Sequence, residues 1–137
     1  RMNDDKIVEY IIVNKELDMG VGKIAGQVAH VQTVIDNNIK HIADNSQRNF
    51  YLKTGIELDE KDLSVLEWYE KWFLVGSQTK IILRAKEKDL LKAIEMGAFS
   101  IRDNGLTEIP AGSLTVVGFL PQPKSNLQEF TRRFQLL

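Results

Sequence analysis

KIILRAKEKDLLKAIEMGAFSIR, residues 80–102, holds a strand, a helix and a second strand in direct succession. Lys80 to Ala85 is a short apolar run that reads as a strand. Glu87 to about Met96 follows as a helix, and Gly97 supplies its stop. Ala98 to Arg102 is the next strand. The same grammar extends outward. Ile7 to Val13 is nearly continuous, apolar and rich in β-branched residues, the pattern of a buried strand. Leu114 to Leu120 is a fourth strand. Lys23 to about Asn37 reads as a helix. A second helix starts at Asp59, an N-cap followed by acidic residues in the first turn, and stops at Gly76. Leu63, Leu66, Tyr69 and Phe73 recur in it at helical spacing, with Trp68 and Trp72 on a neighbouring stripe. The tryptophans suit a core or a dimer contact better than a base-stacking platform. Ser125 with Gln128 forms a capping box for a last helix carrying Leu127, Phe130, Phe134 and Leu137 on one side. Asn38 to Glu57 is polar and reads as a loop or a broken helix. Helices interleaved with apolar strands predict an α/β fold in three layers, α/β/α, around a sheet buried on both faces. The direct link from the third strand to the fourth argues against an all-parallel sheet.

Bulk properties set modest limits. A chain of 137 residues suits one domain, 1–137, with a real core. Apolar content of 43% and charged content of 27% are ordinary for a soluble protein. The absence of cysteine excludes a disulfide framework, a thiol nucleophile and a thiolate zinc site. No apolar run approaches the roughly 18 residues that span a bilayer, and the first residues lack the apolar centre of a signal peptide. A soluble, cytoplasmic protein without a membrane partner is the expectation. The net charge of −1 argues against strong, non-specific nucleic-acid binding. It leaves room for a local basic patch, for which Lys15, Lys23, Lys80, Arg84, Lys86 and Arg102 are placed near strand ends and loop starts. Scattered solubilising charge explains the same residues equally well.

Residues 19–30, MGVGKIAGQVAH, carry the clearest functional signal. Lys23, Gln27 and His30 recur at i, i+4 and i+7 and fall on one stripe of the helix. Ile24, Val28, Val31 and Ile35 form an apolar stripe beside it. A helix start bearing a cation and an amide suits an anionic or carbonyl-bearing ligand. Each residue also has a plain reading. Lys23 alone is a solvated helix-start lysine, His30 a hydrogen-bonded and partly buried one, and Gly20 and Gly22 permit positive φ before the helix. The spacing does not match a Walker loop. His30 and His41 lack a metal-ligand pattern, and no nucleophile elbow is present.

Residues 103–115, DNGLTEIPAGSLT, form a loop between the third and fourth strands. Taken alone it is turn chemistry, with Asp103 opening an Asx-turn and Thr115 starting a strand. Together with MGVGKIAGQVAH it resembles the type-2 (archaeal and eukaryotic type) peptidyl-tRNA hydrolases. That family carries M-G-x-G-K-[IV]-A-x-Q closed by a His-bearing turn, and later D-x-G-x-T-[QE]-[IV]-x-x-G-[ST]-x-T. Residues 76–84, GSQTKIILR, look like the family strand G-Q-x-K-[IV]-[VI]-[VL]-[KR] with one residue added. The segment Val13-Asn14-Lys15 before the first loop, and the strand Val116 to Leu120 ending at Pro121, fit as well. Departures are Val28 where many members have cysteine, Asn104 for alanine, Leu106 where many have a basic residue, a longer polar link from Asn38 to Leu58, and an extended C-terminal helix.

The resemblance implies a mixed four-stranded sheet with helices on both sides and a homodimer. It implies hydrolysis of the ester between a peptide and the tRNA 3′ ribose, with peptidyl-tRNA as partner and neither metal nor organic cofactor. Ester hydrolysis needs an oriented water and donors for the developing oxyanion. Asp103, at a predicted strand end, is the candidate to orient or deprotonate the water, and a neighbouring cation would keep it ionised and weakly basic. Lys23 is the candidate for charge stabilisation. Thr107 joins them as a catalytic candidate that holds the water. Gly22, Gln27, His30, Lys15, Gly105 and Thr115 are the substrate-binding candidates, with Thr115 an alternative holder of the water or ribose. Two other readings stay open: a catalytically weak tRNA- or protein-binding module on the same fold, and an esterase for a small acyl substrate.

Overall fold

The computed structural model describes residues 5–52, 59–105 and 109–137. Among these, the strands are β1 (Ile7–Asn14), β2 (Lys80–Ala85), β3 (Phe99–Arg102), β4 (Leu114–Gly118), β5 (Gln122–Pro123) and β6 (Gln135–Leu136). The α-helices are α1 (Val21–Leu52), α2 (Glu60–Leu74), α3 (Glu87–Glu95) and α4 (Gln128–Thr131). The strand order is β3-β4-β1-β2-β6, with β5 paired to β1 off that path. β1 runs parallel to β2 and antiparallel to β4, and β3 runs antiparallel to β4. The sheet is therefore mixed, and β1, β2 and β3 all end at the same edge.

The expected α/β class holds, with six strands where four were expected. The two additions are short pairs of two residues each, too brief to leave a period-2 signature. β1 supplies both halves of the core by simple alternation. Val8, Tyr10 and Ile12 point to the side of Leu90 and Ala93 from α3 and Phe130 from α4. Ile11 and Val13 point to the side of Val31 and Ile35 from α1. Each such side chain contributes on the order of 1.5–3 kcal/mol when taken from water. α2 packs against α1 and the start of β1.

Two boundaries differ from the sequence reading. α1 runs through residues 38–52 instead of yielding to a loop. Ile35 and Ile39 are buried four residues apart, so the apolar stripe outlasts the polar composition around it. Residues 53–58 of the same link lie outside the described residues. At the other end, Ser125 caps no helix: its backbone N–H donates to Asp5 Oδ1 at 2.9 Å, and α4 starts after Leu127. The Asp59 cap is present, accepting from the Lys61 N–H at 3.2 Å. Of the stripe expected on α2, Leu63 and Phe73 are exposed and Leu66 and Tyr69 half-buried; the buried residues of the helix are Val65, outside the stripe, and Trp72 on the neighbouring one.

Candidate active site

The first turn of α1 and the loop after β3 meet at one ion pair. Lys23, in the first turn of α1, donates from Nζ to Asp103 Oδ1. The two side chains retain 13% and 4% of their exposure, so the contact is largely shielded from water. A lysine in the first helical turn sits against the positive end of the helix dipole, an unfavourable place for a cation. No acidic residue occupies that turn to offset it. Asp103 brings the compensating negative charge from 80 residues away.

The loop carrying Asp103 is braced at its base. The Asp103 N–H donates to the Ser113 carbonyl at 2.9 Å, and the Gly112 N–H donates back to the Asp103 carbonyl at 2.7 Å. Arg102 Nη1 adds a bond to the Gly112 carbonyl at 2.9 Å. The carboxylate's second oxygen, Oδ2, accepts from the Gly105 N–H at 2.7 Å. Gly105 has φ of +78°, and a Cβ there would lie 2.6 Å from the Ala111 Cβ. Only glycine satisfies both demands. The Lys23 ammonium holds the Asp103 carboxyl below its ordinary value; burial raises it in opposition, and the Gly105 N–H lowers it further. Asp103 is thus an anion at neutral pH and a poor proton acceptor. An ammonium has three N–H donors, so Lys23 keeps donors beyond the one given to Asp103.

The other candidates are placed as follows. Gln27 is buried one turn beyond Lys23, and its Oε1 accepts from Thr115 Oγ1 at 2.6 Å. The same Thr115 hydroxyl lies 3.1 Å from the Ile101 carbonyl, two residues before Asp103. Thr115 is fully buried and reaches the site through Gln27. His30 is exposed, not partly buried, because its stripe runs beside the covered Val31–Ile35 face. Gly22 lies inside α1 with open space where a Cβ would stand, and without a left-handed φ, so it leaves room near Lys23 and does not turn the chain. Lys15 is exposed and lines a separate cleft with Arg84 and Lys86. Thr107 lies outside the described residues. Among the described residues no group of three or more His, Cys, Asp or Glu side chains is placed to hold a metal ion. No helix among them is long and apolar enough to cross a membrane.

The family profile described as Peptidyl-tRNA hydrolase PTH2 matches residues 7–137, which include every part of this arrangement. The chain belongs to that family. A peptidyl-tRNA hydrolase of Staphylothermus marinus is 31% identical over 135 residues, covering 94% of this chain and 93% of its own. One from Sulfurisphaera tokodaii is 33% identical over 134 residues, covering 93% and 95%. The peptidyl-tRNA hydrolase 2 of Saccharomyces cerevisiae is 32% identical over 133 residues, which cover 92% of this chain and 56% of the yeast protein.

One residue near the site was not among the candidates read from sequence. Asn14, at the end of β1, donates from Nδ2 to the Leu114 carbonyl at 2.8 Å and to Glu87 Oε1 at 3.2 Å. It ties the exit of the Asp103 loop to the start of α3. The sequence signal was available: an asparagine closing an apolar strand is a buried polar group in need of partners.

Proposed function

We propose that this protein hydrolyses the ester of peptidyl-tRNA, releasing the peptide and free tRNA. The single observation that carries the reading is the shielded Lys23–Asp103 pair, built where the family motifs meet. Water attacks the ester carbonyl, forming a C–O bond and an oxyanion. The tetrahedral species then expels the ribose 3′ oxygen, which takes up the proton released by the water. Lys23 supplies charge-assisted donors to the oxyanion, the point where negative charge develops. Asp103, held ionised, orients Lys23 and the attacking water and does not serve as a strong base. Gly105 fixes the carboxylate, and Gln27, steadied by Thr115, together with His30 and the open space at Gly22, receives the 3′ end. Thr107, two residues beyond Gly105, is assigned the water-holding hydroxyl, and Lys15 a phosphate contact.

The protein works as a homodimer in the cytoplasm, in the service of translation. Support for self-association is a groove of about 640 Å³ between α1 and β2, lined by Val21, Ala25, Val28, Ala29, Ile82 and Leu137. A monomer at micromolar concentration in sedimentation equilibrium contradicts the dimer. For the activity, purified protein incubated with an N-blocked aminoacyl-tRNA yields the free blocked amino acid and intact tRNA. Recovery of uncleaved ester, under conditions where a family relative cleaves it, overturns the reading.

A further inference from the structure

A second concave surface lies at the same edge of the sheet as Lys23 and Asp103. It is a polar cleft of about 420 Å³ beyond the ends of β1 and β2. Lys15, Arg84, Lys86, Lys88 and Arg133 line it, against one carboxylate, Asp89. All five cations are exposed. Two of them are held in place. Arg84 Nη2 donates to Gln135 Oε1 at 2.8 Å. Arg133 lies over the rings of Phe130 and Phe134, 5.2 and 5.1 Å from their centroids, with Asp89 Oδ1 at 3.7 Å. The α3 N-terminus beneath is already occupied, since the Glu87 N–H donates to Glu16 Oε1 at 2.7 Å. The charge offered to a ligand is therefore that of the side chains, five cations set against Asp89 and the neighbouring carboxylates of Glu16 and Glu87.

The whole chain carries a net charge of −1, so this concentration of cations is offset elsewhere. α2 holds Glu60, Asp62, Glu67 and Glu70 against Lys61 and Lys71. A molecule polarised in this way orients an approaching polyanion toward its basic edge. The cleft opens beside β2, and Asp103 follows β3, three positions away across the sheet. Three strand spacings amount to about 14 Å, a short reach for a nucleic-acid strand whose end sits at Lys23.

We propose that this cleft binds the sugar-phosphate backbone of the tRNA next to the reacting 3′ end, with Lys86 and Lys88 as phosphate contacts. The proposal rests on the peptidyl-tRNA reading and adds the surface that holds the RNA. It also redraws the basic patch foreseen from sequence: Lys88 and Arg133 join it, while Lys80 lies over Trp72 and Arg102 braces the Asp103 loop.

The test is the double variant Lys86→Ala, Lys88→Ala, with Lys61→Ala, Lys71→Ala on α2 as the control. Binding of deacylated tRNA is measured by fluorescence anisotropy over a series of salt concentrations, and peptidyl-tRNA turnover is followed in parallel. The cleft variant is expected to raise Kd and KM about tenfold at low salt, to leave kcat near wild type, and to flatten the log Kd–log salt slope by about 1 to 2. The α2 control is expected to match wild type in all three. Wild-type turnover together with unchanged KM and salt slope in the cleft variant overturns the cleft while leaving the hydrolase reading in place. Absent wild-type turnover, with tRNA affinity still dependent on Lys86 and Lys88, overturns the hydrolase reading and keeps the cleft.

Discussion

At the scale of single residues, the Asp103 carboxylate is held at both of its oxygens. Lys23 takes one oxygen and the Gly105 N–H the other. Substituting Gly105 by alanine forces a Cβ to 2.6 Å from that of Ala111 at a left-handed φ. Such strain amounts to about 1–3 kcal/mol and is relieved by moving the loop. Gly105→Ala is expected to lower kcat at least tenfold with KM little changed, as steady-state kinetics will show; wild-type kcat would place the Asp103 geometry outside catalysis. The titration of Asp103 has a definite sign. Its folded-state value lies below the ordinary 3.8, so the stabilisation from its partners is complete at neutral pH and fades only as pH falls below that point. Lys23, Asp103 and Gly105 were legible as candidates because they lie in the two motifs that carry the family resemblance. Thr115 was legible as a candidate, but its burial under Gln27 was not. A hydroxyl's partner depends on which helix crosses above it, here one that contributes a residue 88 positions away.

At the scale of elements, β1 carries an unusual cost. Glu9 interrupts an apolar strand and is fully buried on the α1 side. Among the described residues, neither of its carboxylate oxygens has a hydrogen-bond partner. Burial pushes its carboxyl up to about 7; the nearby Gln32 amide, short of hydrogen-bond geometry, and the Lys80 charge pull it down, and the Asp36 charge adds to the rise. The folded state therefore keeps a proton that the unfolded chain releases near 4.5, and stability falls as pH rises from there to about 7. Above that window the full cost, on the order of 3 kcal/mol, is present. Glu9→Gln removes it. Thermal melts are expected to show the variant roughly 10 °C more stable than wild type at pH 8 and nearly equal at pH 4. An equal gap at both values would contradict this account of Glu9. The extent of α1 escaped the sequence reading for a related reason. Asn37, Asn38, Asp44, Asn45 and Ser46 have poor helix propensity, and packing of Ile35 and Ile39 overrides it. α4 is the converse case. A capping box was written in the sequence, but Ser125 turned to Asp5, a partner 120 residues away.

At the scale of the whole molecule, the arrangement follows from β1 at the centre of the sheet. β2 lies parallel on one side of it and β4 antiparallel on the other, with β3 outermost beyond β4. This order brings the segments that follow three strands to one edge: Lys23 after β1, Lys86 and Lys88 after β2, and Asp103 after β3. Alternating helices and strands made the α/β class readable, and the direct β3–β4 link signalled a mixed sheet. The strand order was not readable, because pairing depends on contacts between segments distant in sequence. The convergence of Lys23 with Asp103 is the structural consequence of that order and the basis of the proposed chemistry. Its most direct test is the rate of peptide release from peptidyl-tRNA by wild type, Lys23→Ala and Asp103→Asn, each shown by circular dichroism to be folded. A loss in kcat of about 100- to 1,000-fold is expected in each variant, the scale of removing one preorganised transition-state contact. Variants that fold and release peptide at the wild-type rate would contradict it.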